Sequence, residues 1–246
     1  MSGAKKSTGW IGVISAFLLV LAIVVFMSDT FRFAKTLFLI ARVTPYEQSG
    51  TGAGTIQVLG DSTGYGTGAS RAKYSVAGRL GADHPDYSIA NRSVNGRTIG
   101  ELLVDVKDFS GQYDLLVLQI GGNDILQKRD TDAVLTDLNT LIQRLLPHAK
   151  EIVMLTSGNV GTAVAFSGDE AKQYDRLTRA YRSRVIGLAE TTPHFTYIDL
   201  FDEPEDDVFA QDPDKYTSID QLHPSNDGYE FWYQKAKSAF DSALEK

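Results

Sequence analysis

One short segment restricts the fold of this chain more than any other, the run Tyr-Asp-Leu-Leu-Val-Leu-Gln-Ile at Tyr113–Ile120. Its centre is apolar at consecutive positions, whereas a strand with one face in water alternates apolar and polar side chains. A strand that buries both faces needs a layer of helices on each side, which is the arrangement of parallel sheets in α/β proteins. The segment therefore predicts a parallel sheet between two helical layers.

Short apolar segments and helix-like segments alternate along the rest of the chain. The predicted strands are Thr55–Leu59, Tyr87–Ala90, Tyr113–Ile120, Ile152–Leu155 and Phe195–Ile198. The predicted helices are Ser70–Leu80, Thr98–Lys107, Thr131–Leu146, Glu170–Ala189 and Asp227–Leu244. Strands that alternate with helices of this length favour an α/β domain with a mostly five-stranded parallel sheet.

The N-terminal segment has a different composition. Trp10–Met27 contains eighteen residues without a charged side chain, and as a helix it would span about 27 Å, close to the ~30 Å hydrocarbon core of a bilayer. A cleaved signal peptide is the main alternative, because Lys5 and Lys6 precede the run. Signal-peptide cores are shorter, about 7–15 residues, and end in small residues, whereas Phe26–Phe31 has no Ala-x-Ala pattern. The segment therefore predicts an uncleaved, single-pass transmembrane helix.

The composition divides the chain into three predicted parts. These are a membrane anchor with a juxtamembrane segment at 1–44, a Ser-, Gly- and Thr-rich linker at 45–54, and an α/β domain at 55–246. The positive-inside rule does not choose an orientation, because Lys and Arg occur on both sides of the predicted span. The lack of cysteine favours an extracytoplasmic domain, and its sidedness stays open.

Charge and cysteine content exclude several classes of function. The net charge of −7 argues against a nucleic-acid partner, since binding to phosphates requires a basic surface. Because there is no cysteine, thiolate catalysis and cysteine-ligated metals are excluded. The acidic run Asp202–Asp207 lacks the alternation of a calcium-binding loop. No metal and no cofactor are therefore predicted.

Polar and glycine-rich motifs lie directly after the first three predicted strands and before the last predicted helix. They are Gly60-Asp61-Ser62, Asn91-Arg92-Ser93-Val94-Asn95-Gly96, Gly121-Gly122-Asn123-Asp124 and Asp220-Gln221-Leu222-His223-Pro224. Ligands of open parallel sheets bind beyond the carboxyl ends of the strands. The first three motifs are therefore expected to converge at one edge of the sheet.

In this order, the four motifs resemble those of the SGNH hydrolases, also called the GDSL esterase/lipase family. Pro224, Gly228 and Tyr229 continue the last motif in the family's pattern, His-Pro-x-x-x-Gly-Tyr. The resemblance covers the chain from about Thr55 to the C-terminus. It implies a flavodoxin-like three-layer sandwich and a serine esterase that needs no cofactor. Its implied substrate is a lipid ester, a thioester or an O-acetylated carbohydrate.

The same motifs supply the residues that ester hydrolysis requires. Ser62 is the expected nucleophile, His223 the base that takes its proton, and Asp220 the carboxylate that orients the imidazole. By resemblance, the oxyanion is stabilised by the backbone N–H groups of Ser62 and Gly96 and by the side-chain amide of Asn123. The aspartates Asp61 and Asp124 are expected to hold the loops by accepting hydrogen bonds.

Two non-catalytic interpretations use the same segments differently. A flavodoxin-like nucleotide- or ligand-binding module tethered to the membrane would use the glycines of Gly64-x-Gly66-x-Gly68, but their spacing departs from Gly-x-Gly-x-x-Gly. Such a module also gives no reason for Asp220 and His223. A membrane-tethered interaction domain that kept the fold and lost its activity is the second interpretation. The intact set Ser62, Gly96, Asn123, Asp220 and His223 argues against it. The expected partners are thus an ester substrate and, through the N-terminal helix, a membrane. The acyl chain length and the oligomeric state are left open.

Overall fold

The computed structural model describes residues 30, 31 and 33–245. The chain divides into two compact units, Met1–Phe38 and Leu39–Lys246. The described residues of the smaller unit are helical. Within residues 30, 31 and 33–245, none of the helices combines the length and hydropathy that a bilayer span requires. The predicted transmembrane segment Trp10–Met27 lies outside the described residues, so it stays a prediction.

The larger unit is built on a parallel sheet of five strands. The strands are β1 (Gly54–Gly60), β2 (Tyr87–Asn91), β3 (Tyr113–Gln119), β4 (Ala149–Leu155) and β5 (Phe195–Ile198). Their spatial order is β2-β1-β3-β4-β5, and every neighbouring pair is parallel. This is the strand order of flavodoxin-like sheets. The predicted five-stranded parallel sheet in an α/β fold is confirmed.

Nine α-helices of the larger unit are described between and after the strands. They are α1 (Ser62–Tyr65), α2 (Val76–Asp83), α3 (Ile99–Asp105), α4 (Gly122–Leu126), α5 (Thr131–Leu145), α6 (Gly168–Thr191), α7 (Val208–Gln211), α8 (Pro213–Tyr216) and α9 (Asn226–Leu244). Short 3₁₀ helices occupy Ala72–Tyr74, Leu146–His148 and Val160–Thr162.

Each face of the sheet carries its own hydrophobic core. Leu116 and Leu118 of β3 point into a core formed with α3, α5 and α6. Leu115 and Val117 point into the opposite core, which α2 and α9 cover. All four side chains are at most 1% exposed. Successive side chains of a strand face opposite sides of the sheet. Because both sides of β3 are buried, its consecutive residues are apolar, as the sequence predicted.

The strand register brings the ends of the three central strands together. Gly60 at the end of β1 pairs with Gln119 at the end of β3, and Val58 pairs with Asn91 at the end of β2. The loops that follow these strands consequently leave the sheet side by side. This confirms the expectation that the first three motifs converge.

The prediction of one helix over Ser70–Leu80 was wrong at its start. A 3₁₀ turn is followed by Ser75, whose backbone is extended and whose side chain accepts a hydrogen bond from the N–H of Gly78. Ser75 is therefore the N-cap of α2, and the helix begins only at Val76. The four-residue helices α1, α7 and α8 were not predicted, because a single turn is too short to show helical periodicity.

Residues of the segment 45–54 lie against the outer edge of β2. Gln48 forms an antiparallel bridge with Ile89, with backbone hydrogen bonds of 3.0 and 2.9 Å. Its side-chain Nε2 donates to the carbonyl oxygens of His84 and Tyr87, at 3.1 and 2.8 Å. An exposed strand edge invites pairing with other chains. Gln48 thus satisfies part of the edge of β2.

We expect Gln48→Ala to lower the free energy of unfolding by about 1–2 kcal/mol, since it removes two side-chain hydrogen bonds to backbone carbonyls. Glu47→Ala is the matched control, because Glu47 is an exposed neighbour and should change stability by less than about 0.5 kcal/mol. Urea unfolding followed by circular dichroism measures both. Equal stability of the two variants would show that the Gln48 side chain does not hold this edge.

Candidate active site

Ser62 is held at the carboxyl end of the sheet by the residues beside it. The N–H of Asp61 donates to the carbonyl of Gln119 at 2.9 Å, which continues the pairing of β1 with β3. Asp61 is also the N-cap of α1, and its Oδ1 accepts from the N–H and the hydroxyl of Thr63, both at 2.8 Å. Ser62 is consequently the first residue of a helical turn that is anchored to the sheet.

His223 and Asp220 meet Ser62 from the loop before α9. Nε2 of His223 lies 2.8 Å from Oγ of Ser62, and its Nδ1 lies 2.6 Å from Oδ2 of Asp220. Asp220 is 1% exposed and His223 is 7% exposed. The other carboxylate oxygen of Asp220 accepts the backbone N–H groups of Leu222 and His223. The three side chains therefore form one continuous hydrogen-bonded chain.

The ionisation of Asp220 sets the direction of these hydrogen bonds. Burial acts to raise the pKa of Asp220, but the hydrogen bond and the charge of His223 more than offset it, so the pKa lies below its ordinary value. An ionised carboxylate only accepts hydrogen bonds, so Nδ1 of His223 carries the proton that faces it. In the neutral imidazole, Nε2 then accepts from the hydroxyl of Ser62.

Gly68 lets two loops approach each other closely. They are the loop before α9 that carries Asp220 and His223 (the histidine loop) and the segment after β1 that carries Ser62 (the serine loop). Its φ is +101°, and a Cβ at this position would lie 2.2 Å from the carbonyl oxygen of Pro224 and 2.9 Å from Cβ of His223. Tyr229 adds a further tie, because its hydroxyl donates to the carbonyl of Thr67 at 2.7 Å. The end of the glycine-rich segment, at Thr67 and Gly68, is therefore covered by Pro224, His223 and Tyr229. This argues against its use as a phosphate-binding loop.

Gly96 lies in an exposed turn that the hydroxyl of Thr67 joins to the serine loop. Its φ is +80°, a conformation that favours glycine, and nothing lies within 4 Å of where a Cβ would stand. The N–H of Val94 donates to the carbonyl of Gly60 at 3.0 Å. Thr67 Oγ1 lies 2.5 Å from Oδ1 of Asn95. These bonds join the turn to Gly60 and Thr67, which lie on either side of Ser62 in the chain.

Asn123 lies in the first turn of α4, after Gly121 with its φ of +120°. The Nδ2 group of Asn123 donates to the carbonyl of Arg97 at 3.1 Å. Arg97 directly follows Gly96, so the amide of Asn123 is joined to the turn that carries Gly96. The structure thus links Ser62, Asp220 and His223 through hydrogen bonds, and it joins Asn123 to the turn of Gly96 through Arg97.

The two other aspartates of the motifs act as the sequence indicated, by holding loops. Oδ2 of Asp124 accepts the N–H of Ile99 at the start of α3, and Oδ1 accepts from Arg129 at 2.6 Å. Burial raises the pKa of both carboxyls, that of Asp61 to about 6. Among the residues that the structure describes, no three His, Asp or Glu side chains are grouped so that they could hold a metal ion.

Several buried polar atoms under the site were not found by sequence reasoning. They have no hydrogen-bond partner among the described residues, and they are Ser93 Oγ, Ser157 Oγ, Tyr181 Oη and both amide atoms of Gln119. A Cβ at Gly64 would lie 2.6 Å from Ser93 Oγ, and one at Gly121 would lie 2.7 Å from Tyr181 Oη. The glycines of the motifs thus also make room for polar side chains below the loops. No local pattern in the sequence indicates this.

Comparison with known proteins places the chain in a family. A model of the GDSL-like lipase/acylhydrolase family matches residues 58–231, a range that contains all the motifs described above. The chain therefore belongs to the GDSL-like lipase/acylhydrolase family, and the resemblance predicted from the motifs is confirmed. Membership of this family makes it a hydrolase of the esterase and lipase type. No curated protein matches the chain.

Solved structures share the fold at low sequence identity. A member of the lipolytic G-D-S-L family from Veillonella parvula is 18% identical with a TM-score of 0.61, over 76% of this chain and 98% of its own. The lipase Lip_vut3 from a goat rumen metagenome is 19% identical with a TM-score of 0.59, over 75% and 96%. The acetyl xylan esterase AlAXEase is 20% identical with a TM-score of 0.56, over 75% and 98%.

We expect Asp61→Asn to stabilise the protein at neutral pH. Burial is the main cause that raises the pKa of Asp61 from 3.8 to about 6, which corresponds to about 3 kcal/mol of cost for the buried charge. The amide of asparagine keeps an oxygen that can accept from Thr63 and removes the charge. Because the folded pKa is the higher one, wild type loses stability relative to the variant as pH rises through about 6.

Urea unfolding between about pH 4 and about pH 8 measures this difference. Asp220→Asn is the control, and it should change the free energy of unfolding in the opposite direction, because the pKa of Asp220 is lowered in the folded protein. Its destabilisation should be present at neutral pH and fade in acid. An Asp61→Asn variant less stable than wild type at neutral pH would contradict the role assigned to the buried charge.

Proposed function

We propose that this protein is a serine esterase that hydrolyses acyl esters through an acyl-enzyme on Ser62. The single observation that supports this most is the chain of hydrogen bonds from Asp220 through His223 to Ser62, at 2.6 and 2.8 Å. A serine hydroxyl becomes an effective nucleophile when a base that is itself oriented by a third group takes its proton. This arrangement stands at the carboxyl edge of the sheet, where a ligand can reach it.

In the proposed first half-reaction, Oγ of Ser62 attacks the ester carbonyl while its proton moves to Nε2 of His223. The carbonyl π electrons move to the oxygen, which becomes an oxyanion. The backbone N–H groups of Ser62 and Gly96 and the amide of Asn123 donate to that oxygen. The oxyanion then re-forms the carbonyl and the bond from the carbonyl carbon to the alcohol oxygen breaks. His223 gives its proton to that oxygen as it leaves, and the acyl group stays on Ser62.

In the second half-reaction, water replaces the alcohol. His223 takes a proton from water as the water oxygen attacks the acyl-enzyme, and it returns the proton to Oγ of Ser62 as the acid leaves. The carboxylate of Asp220 stabilises the imidazolium in both halves. Every proton is thus carried by a group that is already in hydrogen-bond contact, and the proposal uses no metal or cofactor.

The proposed substrate is a small-molecule, lipid or carbohydrate ester, or a thioester. Two structural relatives are described as a lipase and an acetyl xylan esterase, and the proposal covers both kinds of acyl group. Val94 is 46% exposed two residues before Gly96, and Ile219 is 50% exposed beside Asp220. We infer that these two exposed apolar side chains contact the acyl group of the substrate.

We expect Ser62→Ala and His223→Ala each to lower the rate of p-nitrophenyl ester hydrolysis by about 10⁴–10⁶-fold, and the double variant to be no worse, since the residues act as one unit. A fluorophosphonate probe should add its mass at Ser62 in wild type only. Ser70→Ala, an exposed serine in the same loop region, should keep both labelling and activity. Activity within tenfold of wild type in either single variant would refute the proposed mechanism.

We also propose that the protein is anchored in a membrane by Trp10–Met27, with the hydrolase domain outside the cytoplasm. The support is the uncharged run itself and the helical residues that follow it. There Phe31, Phe33, Leu37 and Phe38 are each at least 50% exposed. Lys35 lies over the ring of Phe31, which suits a helix near lipid headgroups.

For this anchor we expect the full chain to stay in the membrane pellet through high-salt and alkaline carbonate washes, because an uncharged apolar helix is costly to expose to water. A variant that begins at Leu39, the first residue of the larger unit, should be soluble and equally active on a small soluble ester. N-terminal sequencing is the control. A mature N-terminus beyond Met27, or release of the full chain by carbonate, would refute the anchor.

A further inference from the structure

Arg97 is joined to two of the donors of the proposed oxyanion hole. It directly follows Gly96 in the chain, and it contacts the side-chain amide of Asn123. Its guanidinium donates to the carbonyl of Arg92 at 3.0 Å and pairs with Asp105, the last residue of α3, at 2.6 Å. Its own carbonyl accepts the amide of Asn123 at 3.1 Å. The Arg97 side chain is 13% exposed, and that of its partner Asp105 is 51% exposed.

The peptide N–H of Gly96 is held from both sides. On the N-terminal side, Asn95 is bound by the hydroxyl of Thr67. On the C-terminal side, Arg97 closes the turn with an N–H to the carbonyl of Val94 at 3.3 Å. The guanidinium of Arg97 also joins the carbonyl of Arg92, which precedes the turn, to Asp105 at the C-terminal end of α3. Without the guanidinium of Arg97, only backbone hydrogen bonds would hold the C-terminal side of the exposed turn.

The amide of Asn123 needs a separate constraint. The terminal torsion of asparagine is broad, so an amide that serves as an oxyanion donor must be oriented by a partner. The Nδ2 group carries two N–H bonds, and one of them is directed to the carbonyl of Arg97. The direction of the second N–H on the same nitrogen is thereby set. Asn123 is thus oriented by the residue that also closes the Gly96 turn.

We propose that Arg97 is a positioning residue of the oxyanion hole. Its side chain fixes the turn that presents the N–H of Gly96, and through its carbonyl it sets the amide of Asn123. The inference rests on the proposed serine esterase function, because only an oxyanion formed during attack would use both donors. The role proposed for Arg97 requires no contact with the substrate or with the reacting atoms. Its effect should therefore appear in the turnover number and not in substrate binding.

Arg97→Met, which keeps much of the side-chain length but removes the charge and the donors, tests the proposal. We expect kcat on a p-nitrophenyl ester to fall about tenfold, with KM within about twofold, because misplacing donors costs less than removing one. Labelling of Ser62 by the fluorophosphonate should slow by a similar factor. Arg97→Lys, which can keep the ion pair with Asp105, should recover to within about threefold of wild type.

Arg144→Met is the matched control. Arg144 of α5 also donates to a backbone carbonyl of α3, that of Leu103 at 2.6 Å, but its bond is not part of the Gly96 turn. Its kcat should stay within about twofold of wild type. Thermal unfolding of both variants checks that they are folded. Should Arg97→Met be too unstable to assay, Asp105→Asn breaks the same ion pair at its exposed end and should lower kcat about threefold.

The Asn123→Ala background separates positioning from general stability. There, Arg97→Met should cost only about threefold more. The loss through the Gly96 turn remains, whereas the carbonyl of Arg97 has no amide left to orient. The same tenfold loss in both backgrounds, a change confined to KM, or equal kcat for Arg97→Met and Arg144→Met would each overturn the proposal. Absence of labelling at Ser62 in wild type would instead refute the serine esterase function itself.

Discussion

β1 and β3 pair in parallel along their length, and the pairing continues one residue past β1, where the N–H of Asp61 reaches the carbonyl of Gln119. Ser62 follows immediately. Because this pairing is buried between two hydrophobic cores, the serine loop starts from one of the most constrained points of the fold. The Gly96 turn depends on the same point, since Val94 donates to Gly60. The site is therefore an extension of the sheet's own hydrogen bonding.

The buried carboxylates around this point are compensated in three different ways. Asp220 is compensated by His223, Asp124 by Arg129 and the N–H of Ile99, and Asp61 by the two donors of Thr63. Only the first arrangement holds the pKa below its ordinary value. Burying a charge costs free energy unless partners replace the water. The carboxylate that the proposed mechanism requires in its ionised form, that of Asp220, is thus the one whose pKa is held below its ordinary value.

Much of the fold and of the proposed site could be predicted because the patterns that indicate them involve residues close together in the chain. The apolar run of β3 indicated the sheet and its two helical layers. The pattern His-Pro-x-x-x-Gly-Tyr that begins at His223 indicated, by family resemblance, that Asp220 and His223 form an acid–base pair. The start of α2 was placed wrongly because Ser75 caps the helix after a 3₁₀ turn. The buried hydroxyls of Ser93 and Tyr181 were not foreseen, since neither lies in a motif that signals chemistry.

The sequence by itself determined the family, the order of the strands and the longer helices along the chain, and the choice of residues proposed to carry out the chemistry. Each of these depends on residues that are close together in the chain. Only the tertiary structure decided that His223 meets Ser62 across 161 positions, and that Asn123 reaches the carbonyl of Arg97 across 26. Such contacts follow from the register of the parallel strands and from close approaches such as that of Gly68. They arise from how the layers are packed, which no local pattern of residues encodes.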